Sequence, residues 1–473
     1  MAHDRYFEKK EFKDKLNQYE NARKQEKFVY LESDDLTDIA EYYEVNGNVD
    51  QATETLSYAL SIFPGATQPL VFRARIALVY AKDIALADSF AEQITDKQDL
   101  SYHYIKAEIM IADGREEDAN AYLHEKLETI DNEDRPDFVL DVSTLFADYS
   151  LMEKAQEWLE LSDEPELADY KELQGRIAFG NGNYEESEHI YNQLLDEYPY
   201  SNHYWNSLAS VQYTHSRIND SIESSEFSIA IDPEDDEAIL NKANGLFALG
   251  NYEEALKYYI RYSTLRPKEV IGYLFQGNAY MNMEKFGEAM DAYTKALAIA
   301  KDNSPQLIEI YQELAFTESR LDHLDKALYY VDKAYELAES EKNELLILKG
   351  YLLLEHDLTK EAYSCFLKAM AASRNSASIV LRIAVCFYDC GHLKTAYRIF
   401  KYLLHTDKRE NEDEGYAYMA ACCKMMEKQD EYLEYLKTAC ERNPHEARMV
   451  FSDSFPPGID PIDYYDYASK HTI

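Results

Sequence analysis

Apolar residues recur along this chain at helical spacing, and the apolar runs come in pairs joined by short polar turns. Ala238 to Leu249 reads as a first helix, Gly250-Asn251-Tyr252 as a turn, and Glu253 to Leu265 as a second helix. Pro267 then ends the pair, because proline lacks the N–H a helix interior needs and clashes with the preceding turn. The same sentence of residues appears earlier. Gly182-Asn183-Tyr184-Glu185-Glu186-Ser187 and Gly250-Asn251-Tyr252-Glu253-Glu254-Ala255 lie 68 residues apart, and Pro199, Pro233 and Pro267 are spaced by 34. Two helical runs on a period of 34 predict a solenoid of stacked helix-turn-helix units.

The residues at fixed places within the period resemble the tetratricopeptide repeat family. That family has large apolar residues fourth and eleventh and small residues eighth, twentieth and twenty-seventh. It has an aromatic or large apolar residue twenty-fourth and proline thirty-second. The unit starting at Asn202 supplies Trp205, Ala209, Ser221, Ser228 and Pro233. The unit at Asp236 supplies Ile239, Ala243, Leu246, Ala255, Tyr259 and Pro267, with Tyr262 at the small twenty-seventh place. The unit at Val270 supplies Tyr273, Gly277, Tyr280, Ala289, Tyr293 and Ala296. Small eighth and twentieth residues let paired helices approach, and the large ones fill the gaps. The resemblance implies an all-α fold, a right-handed superhelical solenoid.

Three segments are expected. Residues 1–32 form an N-terminal capping helix, with an amphipathic run over 4–28 carrying Phe7, Phe12, Leu16 and Tyr19. Residues 33–444 hold about twelve repeats, some degenerate, and the second has Ala81-Lys82-Asp83 where a glycine turn is expected. Residues 445–473 form a C-terminal cap or tail in which Tyr464-Tyr465-Asp466-Tyr467 is expected to pack back on the last helix. Two longer links, Lys301 to Gln306 and Asp407 to Glu414, are the expected joints.

Charge narrows the partners. Lys plus Arg number 48 against 89 Asp plus Glu, a formal net of -41. That field repels nucleic acid and anionic membranes and favours basic partners, against the plainer reading of acidic outer faces that keep the chain soluble. No apolar run is long enough to span a bilayer, and the charged N-terminus lacks a signal-peptide core. Six cysteines, all in the last quarter, are too few for a disulfide framework, so a cytoplasmic setting is expected.

Catalytic signatures are missing: there is no phosphate loop, nucleophile elbow or zincin motif. Gly175 and Gly180 sit on a helix and form no phosphate cradle. Cys386 with Cys390, and Cys422 with Cys423, have spacings a zinc site could use, but buried packing positions account for them better. No cofactor, metal or catalytic residue is expected. Tyr191, Tyr259 and Tyr293 read as core aromatics, and His203 and His215 as surface or groove histidines.

The resemblance implies that first helices line a concave groove that holds a protein or peptide. Carried over by place, the peptide-binding candidates are Asn206 and Tyr213, Asn244 and Phe247, Asn278, Met281 and Asn282, then Gln312, Phe316 and Arg320. Asparagine amides can pair with an extended backbone, while aromatic and Met side chains take apolar anchors. The family's clamp for a terminal carboxylate is absent from the central units, since Asn206, Ser210, Asn241, Ile271 and Phe275 occupy its places. The expected function is a non-enzymatic scaffold or adaptor. The alternative is a regulatory sensor whose superhelix changes curvature when a peptide binds.

Overall fold

The structure is a computed structural model that describes residues 6–7, 9–25, 27–131, 133–300, 305–374, 376–405, 413–452, 454–456 and 458–471. No strand occurs among the described residues. The chain divides into two compact units, Met1–Gly245 and Leu246–Ile473.

In the first unit the helices pair as Ser33–Val45 with Val49–Ile62, Thr67–Ile76 with Ile84–Ala91, and Leu100–Ala112 with Glu116–Leu127. Arg135–Asp148 then pairs with Met152–Leu159, Ala168–Gly180 with Tyr184–Glu197, and Asn202–Thr214 with Ile218–Ile231. The helix Asp236–Ala248 carries the boundary, and Tyr252–Leu265 follows it. The second unit continues with Val270–Asn282 and Phe286–Ile299, Leu307–Arg320 and Leu324–Leu337, and Lys342–Glu355 and Thr359–Ala372. Its last pairs are Ala377–Asp389 with Leu393–Leu404 and Tyr416–Met425 with Gln429–Arg442.

Each first helix ends in a residue with left-handed backbone. Twelve such turns occur among the described residues. Five are glycines (Gly47, Gly114, Gly182, Gly250, Gly391) and seven are Lys82, Ser150, Ser216, Glu284, Asp322, Asp357 and Glu427. The next amide then reaches back to a first-helix carbonyl, as from Asn183 N to Ala178 O (2.9 Å), Arg217 N to Gln212 O (2.8 Å) and Lys285 N to Tyr280 O (2.9 Å). This closure satisfies carbonyls that the helix end leaves open. At Lys82 the helix widens first into a π turn over Ala77–Ala81, and Asp83 N bonds Ala77 O (3.0 Å). That extra residue explains why the sequence boundary there is blurred.

Five residues beyond each turn lies the small place of the second helix. Ala52, Ala119, Ala155, Ala289 and Ala396 there are 0% exposed. Where serine replaces alanine, its hydroxyl donates to the first helix, from Ser187 to Gly175 O (2.8 Å) and from Ser221 to Ala209 O (2.7 Å). A Cβ on Gly277 would lie 2.2 Å from the Tyr293 ring, so the bulky twenty-fourth residue demands a bare eighth one. The departure at Tyr262 has a matching compensation: a Cβ on Gly272 of the following helix would lie 2.8 Å from the Tyr262 ring. Tyr432 fills the small place of the last pair. It is fully buried beside Phe451, at 6.2 Å between ring centroids.

The amphipathic run expected over 4–28 is shorter in the structure, with a helix at Lys10–Lys24. Phe7, Phe12 and Tyr19 are buried against the first pair, and Lys15 bonds Asp35 at 2.8 Å. The segment after it is extended because the Tyr58 hydroxyl accepts from Val29 N (3.0 Å) and donates to Val29 O (2.7 Å). That contact supplies both backbone bonds a further helical turn would have made.

At the other end, Glu446 accepts from Gly415 N (2.7 Å) and Ala417 N (3.0 Å), covering the open amides of the Tyr416–Met425 helix. A helix at Tyr464–His471 follows, with Tyr464 stacked on Phe455 at 4.0 Å. Of the two long links, 301–304 and 407–412 lie outside the described residues.

Candidate functional site

The ten candidate residues fall in both units. In the first, Asn206 is fully buried, and its amide nitrogen donates to both oxygens of Asp235 (3.2 and 3.0 Å) and to Glu237 (3.4 Å). This corrects the expectation of a free groove amide: the nitrogen is committed to the chain's own carboxylates. Tyr213 is 40% exposed, and Asn244 is half-buried.

In the second unit the candidates form a connected set on two neighbouring first helices. Asn278 accepts from the Tyr293 hydroxyl (2.7 Å), and the same hydroxyl lies 3.1 Å from Glu313. Asn282 donates to Asn278 O (2.9 Å), so it holds its own helix rather than projecting freely. The Thr317 hydroxyl meets the Met281 sulfur at 3.2 Å. Phe316 packs on Tyr351 (6.2 Å), Arg320 lies 3.6 Å from Glu355, and Gln312 is half-buried. Phe247 packs edge-on to Tyr252 at 5.2 Å.

The most informative residues were absent from that set. Asp141, Glu237, Glu309, Glu313 and Asp389 have carboxyl groups pushed above the ordinary range, each primarily by burial. Neighbouring carboxylates add to the push at Asp141 (Asp137), Glu237 (Asp235) and Glu313 (Glu309). All five lie on first helices, and among the described residues none has a Lys or Arg partner. Two carboxyl groups are held below the ordinary range, Glu92 by Lys97 and then Lys106, and Glu431 by Lys428 and then Tyr397. Glu431 lies on a second helix and Glu92 directly follows one. Glu237 and Glu309 each lie in the first turn of a first helix. In a chain with 89 acidic residues they did not stand out.

His203 contacts Glu172 at 2.6 Å, and that bond raises its pKa. His215 contacts Glu188 at 3.0 Å. Tyr191, Tyr259 and Tyr293 are buried. The six cysteines are free, and burial pushes the Cys386 and Cys390 thiols up to about 12. Among the described residues no group of His, Cys, Asp and Glu gathers as a metal ion requires, and no helix is long and apolar enough to cross a membrane.

Residues 172–225 and 240–305 match the profile of the tetratricopeptide repeat. Protein O-mannosyl-transferase TMTC3 of Homo sapiens is 28% identical over 149 residues, and that of Mus musculus 27% over 153. These matches cover 28% and 29% of this chain and span 16% of each relative's length. Among solved structures, MamA is 23% identical, covering 34% of this chain and 93% of its own, with a TM-score of 0.32. PilW, described as a widely conserved type IV pilus biogenesis factor, is 21% identical, covering 45% and 96%, with a TM-score of 0.40. Arrays of this repeat generally serve as protein–protein interaction scaffolds, stacking units into an extended surface. Paired helices, left-handed turns and buried small residues return here on one period, and residues 172–225 and 240–305 of this chain carry tetratricopeptide repeats.

Proposed function

We propose that this chain is a non-enzymatic adaptor, working in the cytoplasm, whose first-helix faces hold an extended basic segment of a protein partner. The observation that carries this reading is Glu313, half-buried one turn from Glu309 on a first helix and without a Lys or Arg partner among the described residues. Taking a charge out of water is costly unless it is paired, and a Lys or Arg from a partner supplies the pairing. The -41 net charge adds long-range attraction for a basic chain and repulsion for nucleic acid. Free buried cysteines support a reducing setting.

In the second unit, Glu309 and Glu313 lie one turn apart on the Leu307–Arg320 helix, with Phe316 and Gln312 on the same helix. Carboxylates take the cationic heads, while Phe316 and Tyr351 cover their alkyl stems. Calorimetry with an acetylated, amidated peptide of alternating lysine and alanine tests the reading. Micromolar binding that weakens steeply between low and physiological salt is expected. Equal or absent binding across that salt range, or a preference for the corresponding glutamate peptide, would overturn it.

A further inference from the structure

Charge is not spread evenly along this chain. Asp and Glu outnumber Lys and Arg 89 to 48, yet residues 359–405 carry seven Lys and Arg against two acidic residues, Glu361 and Asp389. The helix Leu393–Leu404 closes that stretch and has no acidic residue at all. Ala396, Phe400 and Leu403 bury its inner side. Lys394, Arg398 and Lys401 recur every three or four residues on the opposite, exposed side, and Tyr402 beside them is 71% exposed.

Elsewhere on second helices of this unit a lysine pairs with an acid about one turn away: Lys257 with Glu254, Lys333 with Glu336 (2.9 Å) and Lys437 with Glu441 (3.9 Å). Among the described residues Lys394, Arg398 and Lys401 have no carboxylate in ion-pairing reach, and Lys401 donates to the Tyr397 hydroxyl (3.2 Å) instead. Glu431 is already held by Lys428 (2.8 Å) and by the same tyrosine hydroxyl. The stripe also opposes the helix that carries it. Like charges three and four residues apart repel, and Lys394 sits in the first turn, where the helix dipole disfavours a cation. Other second helices open on acids, as at Glu185-Glu186, Glu253-Glu254 and Asp430-Glu431. A partner of opposite charge relieves both conflicts.

We propose that this stripe is a docking surface for an acidic segment of a protein partner, an extended chain with carboxylates at alternate residues. One helical turn advances about 5.4 Å, and alternate residues of an extended chain lie about 6.8 Å apart on one side. Three such carboxylates therefore follow the stripe, and the long Lys and Arg side chains take up the difference. Arg398 can hold its carboxylate through two parallel N–H bonds, and the Tyr402 ring covers apolar atoms of the segment. The length of the stripe argues against larger polyanions. It covers about 10 Å of helix, whereas a nucleic acid or an anionic bilayer extends past it onto a chain of net charge -41 and is repelled there. The stripe lies on a different helix from Glu309 and Glu313, so it gives the adaptor a second partner of opposite charge.

The test uses the full chain and an acetylated, amidated peptide of five Glu-Ser repeats, titrated by calorimetry at about 0.15 M salt, where the far field is screened within about 8 Å. Binding is expected, weaker than that of the lysine–alanine peptide because the overall charge still opposes an acidic probe. Lys394→Gln with Arg398→Gln and Lys401→Gln is expected to weaken it about tenfold, and Arg398→Gln alone about threefold. Lys257→Gln with Lys333→Gln and Lys437→Gln removes the same charge from paired lysines and is expected to change it within about twofold. Thermal unfolding confirms that each variant folds. A thymidine octanucleotide and phosphatidylserine vesicles are titrated in parallel, and sedimentation of the chain alone reads self-association. Absent peptide binding, equal losses in the two triple variants, tighter binding of the oligonucleotide or the vesicles, or self-association abolished by the stripe variant overturns the proposal. Each of these leaves the basic-segment reading standing.

Discussion

Glu313 and Glu431 both belong to the second unit, and both are hydrogen-bonded to a tyrosine hydroxyl, of Tyr293 and Tyr397 respectively. Their electrostatic company differs. Burial lifts the Glu313 carboxyl group, and the nearby Glu309 adds to the lift. Glu431 sits on a second helix at the surface, and Lys428 at 2.8 Å draws its pKa down. The acidity of this chain is therefore not one property. Glu431 and Glu92 are matched locally by lysines, while Glu309 and Glu313 have no Lys or Arg partner among the described residues. A surface that is acidic only for solubility has no reason to desolvate its charges. We read the half-buried, unmatched Glu313 as a place for a partner's cation.

The contact that sets the first-helix arrangement is the place to break this comparison most severely. Gly277→Ala puts a Cβ into the Tyr293 ring, and Tyr293 in turn joins Asn278 to Glu313. A loss of about 1–3 kcal/mol in chemical denaturation is expected, and an unchanged midpoint would show that the two helices are not so closely packed. Next in size is binding. Glu309→Gln with Glu313→Gln should cost the lysine–alanine peptide about tenfold in affinity, roughly 1.4 kcal/mol, whereas Glu92→Gln with Glu431→Gln should change it within about twofold.

Smaller still is Tyr293→Phe, which removes one donor shared by Asn278 and Glu313, with an expected loss of about 1 kcal/mol. The pH dependence sharpens the contrast by sign. A carboxyl group whose folded pKa is raised binds more protons in the native state, so its contribution to stability is lost as pH rises from its unfolded value through its folded one. Lowered groups do the reverse, contributing above the unfolded value and losing that contribution as pH falls through the folded one. Above about pH 5 the Glu309→Gln, Glu313→Gln chain should therefore melt higher than the unsubstituted chain. Glu431→Gln should melt slightly lower, within about 0.5 kcal/mol because solvent still screens the half-buried pair with Lys428. Shifts of the same sign in both variants would mean the two faces are electrostatically alike.

Much of the scaffold was legible in particular residues. Gly182 and Gly250 announce their turns because glycine adopts left-handed backbone without steric cost. Ser150, Glu284 and Asp357 make the same turn with side chains that give no such notice, since helix closure and packing hold them there. The candidate site was less legible. Asparagine at a groove-facing place looks like a ligand amide, yet the Asn206 nitrogen is bound to Asp235, a residue 29 positions away. Glu313 looks like any other acid until Tyr293 and Glu309 are seen around it.

The period of 34, the small residues at closest approach and the overall charge belong to the sequence, because helix pitch and side-chain volume act locally and repeat wherever the residues repeat. Which carboxylates are crowded, which amides are committed and which polar atoms are left over was decided by tertiary structure alone. Desolvation and pairing depend on atoms brought close by stacking, and residues some thirty positions apart become neighbours only when one hairpin lies against the next.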